Sequence, residues 1–249
     1  NENNIEMVFN EPKVPYRETI TKSAKAEYRH KKQSGGSGQF GEVHITIEPY
    51  FDDMPEPQGV NIRNKEIEEL PWGGKFAFYW CIVGGAIDNR YATAIKKGIM
   101  HEMTEGPLTG SNCQNIRVCI YDGKMHAVDS NDISFQLAAS HAFKMAFNEA
   151  KPQLLEPYYH LEVLCEDNHT GDVMGDLQTR RAIIQGMDTE GHYQKIIAEV
   201  PLAELKDYGS SLRSLTQGKA KFKLEFSNYQ LVPSHIQENL VISNALLSE

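Results

Sequence analysis

The sequence predicts an α+β protein with two domains, and three observations support this prediction. Short stretches of alternating apolar and polar residues, typical of strands, are interspersed with stretches of helical periodicity. The second half shows the element order βαββαβ, which is the ferredoxin-like split motif. Between the halves lies Leu154-Leu155-Glu156-Pro157, where the proline disfavours helix at Glu156 and predicts an extended joint between domains.

The first half is predicted to alternate strands with two helices. The predicted strands are residues 24–32, 40–50, 75–83 and 115–121, with a further one in residues 1–10 that belongs to a preceding module. Asp88 or Asn89 is expected to cap a helix ending near residues 106–107, and Ser130-Asn131-Asp132 to open a second helix ending at residues 151–152. Segment 51–74 is rich in proline and charge and is expected to be irregular.

The second half is predicted to form the four strands and two helices of the split motif. The predicted strands are residues 158–165, 182–189, 193–200 and 221–226, and the predicted helices are residues 170–181 and 202–217. The side chains of Phe222, Leu224 and Phe226 should face inward, because alternate strand residues share a face. Residues 235–247 read as a final amphipathic helix that neither half requires.

Composition indicates a soluble globular protein. The chain has 249 residues, 40% hydrophobic and 24% charged, with a formal net charge of −9. No apolar run approaches the length of a membrane span, and the polar, acidic start is no signal peptide. Because the chain begins with Asn, we expect it to be cut from a longer protein, called the parent below. The four cysteines form no C-x-x-C pair, so we expect buried, reduced thiols, no metal site and a cytoplasmic location.

The most distinctive stretch is "QSGGSGQFG", residues 33–41. It contains the spacing G-x-G-x-x-G, but a dinucleotide site needs a helix after it. The following residues alternate as a strand, so the loop is expected to connect a hairpin. The tripeptides "GKF", "GKM" and "GKA" lack the Ser or Thr of a nucleotide P-loop. We therefore expect no GTP or ATP binding and no enzymatic activity in this chain.

Charge is distributed unevenly around this loop. Residues 25–33 contain four basic residues and one acidic residue, a net of +3, whereas residues 51–69 carry six acidic and two basic residues, a net of −4. A basic run of this length is most often a solvated strand edge, where lysines discourage aggregation. The pattern alone does not favour nucleic acid over that explanation.

Six motifs in a fixed order carry a family resemblance. They are "YRETI", "QSGGSGQFG", "DGKMHAVDSND", "LLEP", "TGDVMGDL" and "SLRSLTQGKAKFKLEF". Together they resemble the C-terminal part of bacterial translation elongation factor G over nearly the full length. The resemblance implies a remnant of a preceding domain at 1–11 and a fourth domain at 12–154 with a left-handed β-α-β crossover. It also implies a ferredoxin-like fifth domain at 155–230 and a C-terminal helix, 231–249, that returns to the fourth domain.

The resemblance implies a role in ribosomal translocation. In the family, tip loops of the fourth domain enter the decoding site of the small subunit and contact the codon–anticodon helix. The residues that match the tip loops are Lys31, Lys32, Gln33, Ser34, Gly35, Gly36, Ser37, Gly38, Asp122, Gly123, Lys124 and His126. The implied partners are ribosomal RNA, tRNA and mRNA, with a monomeric protein and no membrane. GTP and Mg²⁺ would be cofactors of the parent only.

Two sets of residues also have plainer interpretations. His126 follows Asp122-Gly123-Lys124, which is predicted to be a turn, and a histidine there is usually an exposed strand end; with no nucleophile implied nearby, RNA contact is favoured over catalysis. The second set, Gly171, Asp172, Gly175, Arg180 and Arg181, matches a helix that lies near the large subunit in the family. Gly171 and Gly175 equally suit close helix–sheet packing, and the arginines equally suit the helix dipole.

The chain also departs from the family pattern. Segment 51–74 is longer and more acidic than the usual connection, and "PLAELKDYG" lacks the common Met-Phe-Gly-Tyr step. These departures suggest a specialised paralogue that acts in translocation, ribosome recycling or ribosome protection. The tetracycline-protection relatives lack the QSGG loop and the GDVxGDL helix, which counts against protection. A ferredoxin-like small-molecule regulatory module is the alternative of a different class.

Overall fold

The computed structural model describes residues 14–249, which fall into two compact units. The first unit comprises Arg17–Leu154 and Val232–Glu249, and the second comprises Leu155–Leu231 with residues 14–16. The α+β prediction is confirmed, because each unit combines a sheet with helices. The C-terminal helix groups with the first unit, as the resemblance implied. The strand predicted in residues 1–10 lies outside the described residues.

The element bounds follow the chain in order. As far as Glu149 they are β1 (Arg17–Ile20), β2 (Ala24–Lys32), β3 (Gln39–Pro49), β4 (Asn64–Glu69), β5 (Lys75–Trp80), α1 (Ala92–Thr104), β6 (Asn112–Cys113), β7 (Ile116–Lys124) and α2 (Asp132–Glu149). Thereafter they are β8 (Pro152–Glu166), α3 (Thr170–Thr179), β9 (Ile183–Glu190), β10 (Tyr193–Pro201), α4 (Tyr208–Thr216), β11 (Lys221–Leu231) and α5 (Ser234–Leu247).

The main sheet of the first unit has the strand order β2-β3-β7-β5-β4. Val43, Ile45 and Ile47 of β3 alternate into a core that also contains the apolar faces of α1 and α2. Strands β5 and β7 are parallel and are connected through α1, which makes a β-α-β unit. Its left-handed sense, implied by the resemblance, stays a prediction.

Helices α1 and α2 pack closely because of one glycine. A Cβ atom on Gly98 of α1 would collide with the backbone carbonyl of Gln136 in α2. Helix α2 begins where expected, since the Asn131 side chain accepts a hydrogen bond of 2.8 Å from the backbone N–H of Ser134. This cap satisfies one of the donors that a helix leaves free at its first turn.

Segment 51–74 is more ordered than its composition predicts. It contains strand β4, which pairs antiparallel with β5 in the register Ile67↔Ala77. Most β4 side chains are exposed, so the strand depends on backbone pairing with the core strand β5 and shows little apolar alternation of its own. The prediction of a wholly irregular insertion was therefore wrong.

The second unit has the ferredoxin-like strand order β11-β8-β10-β9. The predicted single helix 202–217 is instead a 3₁₀ turn at Leu202–Glu204 followed by α4, because Asp207 adopts a left-handed φ of 55°. Phe226 was expected to face inward but is 50% exposed. The register of β11 against β8 shifts immediately after Phe226, so the regular alternation ends at this residue, whose ring lies beside those of Tyr159 and Tyr229.

Helix α5 is attached to the first unit by backbone and side-chain hydrogen bonds. The N–H of Val232 donates to the carbonyl of Leu154 over 2.9 Å, and the N–H of Leu154 donates to Oε1 of Gln237 over 2.9 Å. Within residues 14–249, no helix combines the length and apolar character that crossing a bilayer requires.

Candidate functional site

The glycine-rich stretch connects β2 to β3 as predicted, with pairing that extends to Lys32↔Gln39. Residues 31–37 are all exposed. Gly35 and Gly36 have φ values of +73° and +142°, and a Cβ on either would meet no atom within 4 Å. The backbone at the end of this loop is therefore open to close approach by another molecule. We call residues 33–38 the first tip loop.

The second loop begins later than predicted. Asp122, Gly123 and Lys124 lie in β7 and pair with β3, so they do not form a turn. Gly123 is buried, and a Cβ there would collide with the carbonyl of Glu42 and with Ile87. Asp122 and Lys124 are exposed, but Gly123 serves close packing. The chain turns at residues 125–130, which we call the second tip loop.

The two tip loops are joined by an aromatic stack. The imidazole of His126 lies on the ring of Phe40, with centroids 3.6 Å apart and an interplanar angle of 7°. His126 is exposed, whereas Phe40 is 2% exposed. A buried ring at the start of β3 thus fixes the plane of the imidazole beside the first tip loop.

Ser130 and Asp129 strengthen this junction. The Ser130 hydroxyl donates to the Phe40 carbonyl over 2.8 Å and accepts from the His126 N–H over 2.9 Å. The Phe40 N–H donates to the Asp129 carbonyl over 3.0 Å. A Cβ on Gly38 would lie 2.6 Å from Oδ1 of Asp129, so glycine allows the loops to meet here.

Sequence analysis missed the residues that join the loops. Phe40 was placed in the glycine-rich stretch 33–41 and in the strand after it, and Ser130 in the second loop and at the start of a helix, but no contact between the two residues was expected. Phe40 and Ser130 are 90 positions apart, and a local pattern contains no information on such a contact. The one available signal was an aromatic residue at the first strand position after a glycine loop.

The base of the tip carries a charged cluster on β3. His44 Nε2 lies 2.9 Å from Glu42 Oε2, and Arg29 Nε lies 2.7 Å from Glu42 Oε1. Burial opposes ionisation of Glu42, but the hydrogen bonds from His44 and Arg29 outweigh it and lower the pKa of this carboxyl. Beyond this cluster, Lys31, Lys32 and Lys124 are exposed. The tip thus offers ammonium groups, hydroxyls and backbone amides, which are donors suited to phosphate and ribose oxygens.

Helix α3 contains three residues of the second predicted set, Gly171, Asp172 and Gly175, and Arg180 and Arg181 follow its end. Gly171, Asp172 and Gly175 are exposed, and a Cβ on either glycine would meet nothing within 4 Å. The helix is anchored to its unit by Val173 and Leu177, which are buried. The interpretation that these glycines allow close helix–sheet packing was therefore wrong.

Arg180 and Arg181 are engaged inside the second unit. Arg180 contacts Asp176, the Glu204 carbonyl and the Ser211 hydroxyl at 2.7–3.0 Å, and its guanidinium lies over the Tyr208 ring. Arg181 holds the buried carboxylate of Glu156 with two hydrogen bonds of 3.0 and 2.8 Å. The guanidinium donors of both arginines are thus used in hydrogen bonds within the second unit. These residues therefore do not belong to the exposed face that the glycines of α3 form.

Among residues 14–249, no group of three His, Cys, Asp or Glu side chains is arranged to hold a metal ion. A strand, β3, follows the glycine loop, which excludes the strand–loop–helix context of a dinucleotide site. The paired tip loops and the ferredoxin-like unit are the two parts that the resemblance to a translation elongation factor implied.

Family comparisons identify the particular family. The model of elongation factor G, domain IV, matches residues 12–65 and 61–151, and the model of the elongation factor G C-terminus matches residues 153–240. The chain belongs to the elongation factor G family.

Individual relatives agree with this assignment. An elongation factor G-like protein of Thermotoga maritima is 41% identical over 238 residues, covering 95% of this chain and 32% of the relative. Elongation factor G of Thermotoga neapolitana is 41% identical over 231 residues, covering 93% of this chain and 31% of the relative. A crystal structure of a Thermus thermophilus protein matches with a TM-score of 0.77 and 41% identity, covering 94% and 32% of the two chains. The chain thus spans about a third of the length of these proteins.

Proposed function

We propose that the parent is a GTP-dependent ribosomal translocase and that the two tip loops enter the decoding site of the small subunit. The observation that carries this proposal is the junction of both loops through Phe40 and His126. The stacked rings of Phe40 and His126 support the tip, and the glycine backbone of the first tip loop extends beyond them. Such a tip suits the wide, shallow minor groove of RNA, which is recognised by shape, 2′-hydroxyls and backbone. Lys31 and Lys32 add attraction to phosphate.

The remaining parts of the proposal concern the parent. GTP and Mg²⁺ bind the parent outside this chain, and the parent works as a cytoplasmic monomer. Its partners are ribosomal RNA, tRNA and mRNA. Family membership supports the ribosome as a partner.

The test uses the full-length parent with substitutions in the tip. His126→Ala removes the imidazole, and replacing Gly35 and Gly36 with Val blocks backbone approach. We expect single-round translocation, measured with a fluorescent mRNA, to slow at least about tenfold, an increase of about 1.4 kcal/mol in the barrier. Ribosome-stimulated GTP hydrolysis should change little, because the tip acts away from the nucleotide.

Two variants serve as matched controls. His192→Ala removes an exposed histidine from the β9–β10 hairpin, and Gly59→Val replaces an exposed glycine with φ of +76° and no neighbour within 4 Å. Both should translocate at the rate of the unmodified protein. Normal translocation by the tip variants would show that the loops are only structural turns.

The exposed glycine face of α3 is proposed to contact the large subunit. Gly171 and Gly175 leave open space, which allows a ribosomal surface to approach the helix backbone. Replacing both with Val should lower ribosome-stimulated GTP hydrolysis in the parent while leaving the fold intact by circular dichroism. Unchanged hydrolysis and unchanged ribosome affinity would remove this contact from the proposal.

A second candidate is a paralogue specialised in ribosome recycling, because sequence identity does not separate the two kinds of relative. The chain is 41% identical both to a protein named elongation factor G and to one named elongation factor G-like. Splitting of post-termination ribosomes, assayed beside translocation, distinguishes the two. Splitting activity without translocation would support the recycling paralogue.

A further inference from the structure

A pair of thiols lies on the face of the first unit's sheet opposite its helices. Cys81 directly follows β5 and Cys119 lies in β7, and their Sγ atoms are 3.1 Å apart. The Cys81 N–H donates to the Ile120 carbonyl over 2.8 Å, which holds the two chain segments side by side. A disulfide bond is about 2.05 Å long, so the sulfur atoms need to approach by only about 1 Å.

The surroundings make the two thiols chemically unequal. The Cys119 thiol donates a hydrogen bond to the Cys81 sulfur, which lowers the pKa of Cys81 and raises the pKa of Cys119. The Arg117 guanidinium also lowers the pKa of Cys81, although burial and Glu56 oppose it. Since the thiolate is the reactive form of cysteine, the lowered pKa favours Cys81 as the nucleophile of the pair.

Both sulfurs lie beneath a thin cover. Cys81 and Cys119 are each 2% exposed and form a buried cluster with Ala77 and Tyr79, and Val60 and Ile62 of the preceding segment pack against this cluster. We call residues 51–63 the cover segment. The Pro55 carbonyl accepts a 2.8 Å hydrogen bond from the buried Arg117 side chain, which attaches the middle of this segment.

The other ties of the cover segment include two ion pairs near the surface, a 3.3 Å hydrogen bond from the Tyr79 hydroxyl to Glu56, and a 2.8 Å hydrogen bond from the Arg63 N–H to the Trp80 carbonyl at the end of the segment. Asp52 pairs with Lys75 at 2.8 Å, and Glu56 pairs with Lys65 at 2.9 Å. Exposed pairs of this kind contribute little to stability. The cover segment can therefore open locally and admit a small oxidant while the sheet beneath stays folded.

We propose that Cys81 and Cys119 are a redox-active dithiol, which closes to an intramolecular disulfide when the protein meets a peroxide. The Cys81 thiolate attacks one peroxide oxygen, the O–O bond breaks, and hydroxide leaves; sulfur is oxidised to sulfenic acid and the peroxide is reduced. The Cys119 sulfur then attacks the sulfenic sulfur, the S–O bond breaks, and its proton leaves with the hydroxyl as water. A thiol reductant reverses the reaction by exchange.

The disulfide would act on the strand that leads to the tip. From Cys119, β7 continues to Lys124, where the second tip loop begins. The link would tie β7 to the end of β5 and fix a junction that is now held by hydrogen bonds. The other two cysteines, Cys113 and Cys165, are also buried and serve as internal controls.

The experiment treats the folded 249-residue chain with hydrogen peroxide, blocks free thiols under denaturing conditions and maps the peptides by mass spectrometry. We expect the intact mass to fall by two hydrogen atoms and the link to map to Cys81 and Cys119. Dithiothreitol should restore four free thiols. Cys113→Ser and Cys165→Ser variants should form the same link, whereas Cys81→Ala and Cys119→Ala variants should form none.

Two outcomes would overturn the proposal. One is that all four thiols stay free, or that only oxygen adducts appear, in protein shown by circular dichroism to be folded. The other is a link that forms only in urea, since that would place the reaction in the unfolded chain. Neither result depends on ribosome binding, so the proposal stands or fails separately from the proposed function.

Discussion

A substitution of Arg181 tests whether the pair Arg180 and Arg181 forms a binding surface or holds the second unit together. Its guanidinium makes two hydrogen bonds to Glu156, whose side chain is 1% exposed, and a further one of 3.1 Å to Glu204. Replacing Arg181 with Met keeps the apolar stem but leaves the Glu156 carboxylate buried without its cation. Breaking a buried pair in this way costs about 3–5 kcal/mol. Because the Arg181 side chain is 23% exposed, we expect the lower end, about 3 kcal/mol.

The assay is urea unfolding followed by two probes. The chain contains two tryptophans, Trp72 and Trp80, and both lie in the first unit. Tryptophan fluorescence therefore follows the first unit, while amide NMR signals of β10 follow the second. We expect the Arg181→Met variant to destabilise the β10 transition and to leave the fluorescence transition unchanged.

A surface ion pair of the same unit supplies the control. Lys219 lies 3.9 Å from Glu166 and its side chain is 56% exposed, so Lys219→Met should cost no more than about 0.5 kcal/mol. The reasoning is refuted if Arg181→Met costs as little as Lys219→Met. That result would return Arg181 to the list of candidate ribosome contacts.

Three further outcomes are expected. Gly98→Ala should lower the stability of the first unit by more than about 1 kcal/mol in the fluorescence assay, because the alanine methyl group would collide with the backbone carbonyl of Gln136. In NMR titrations His160 should show a pKa above 6.5, raised mainly by its hydrogen bond to Glu199 and also by Glu162. The resulting stabilisation of the second unit is complete below pH 6.5 and is lost as pH rises through the raised pKa, and Glu199→Gln should reduce the shift. Ser130→Ala should remove about 1 kcal/mol from the tip junction and speed exchange of the His126 amide roughly fivefold; an unchanged exchange rate would contradict the role of the hydroxyl.

Local sequence patterns predicted the elements whose signals are themselves local. The cap at Asn131 and the alternation in β3 are examples, since both depend on neighbours in the chain. The βαββαβ order likewise follows from counting such elements. These features define the fold class without knowledge of any long-range contact.

The errors arose where a distant partner decides the outcome. Asp122-Gly123-Lys124 has turn-forming composition, but β3 extends far enough to pair with it and keeps it in a strand. Strand β4 forms because its backbone pairs with the neighbouring strand β5. Arg181 was assigned to a surface because its partner Glu156 lies 25 positions away. In each case pairing across the fold overrides the local signal.

The order of the five-stranded sheet has an electrostatic consequence. Strand β2, at one edge, carries the exposed Lys31 and Lys32, while β4, at the other edge, carries Glu66, Glu68 and Glu69. Lys96 pairs with two of these acids but leaves the acidic character of that edge dominant. Opposite charge at opposite edges gives the unit a dipole across its strands. The field of a polyanion therefore exerts a torque that turns β2 toward it and β4 away, which orients the unit before contact and makes its association rate fall with ionic strength.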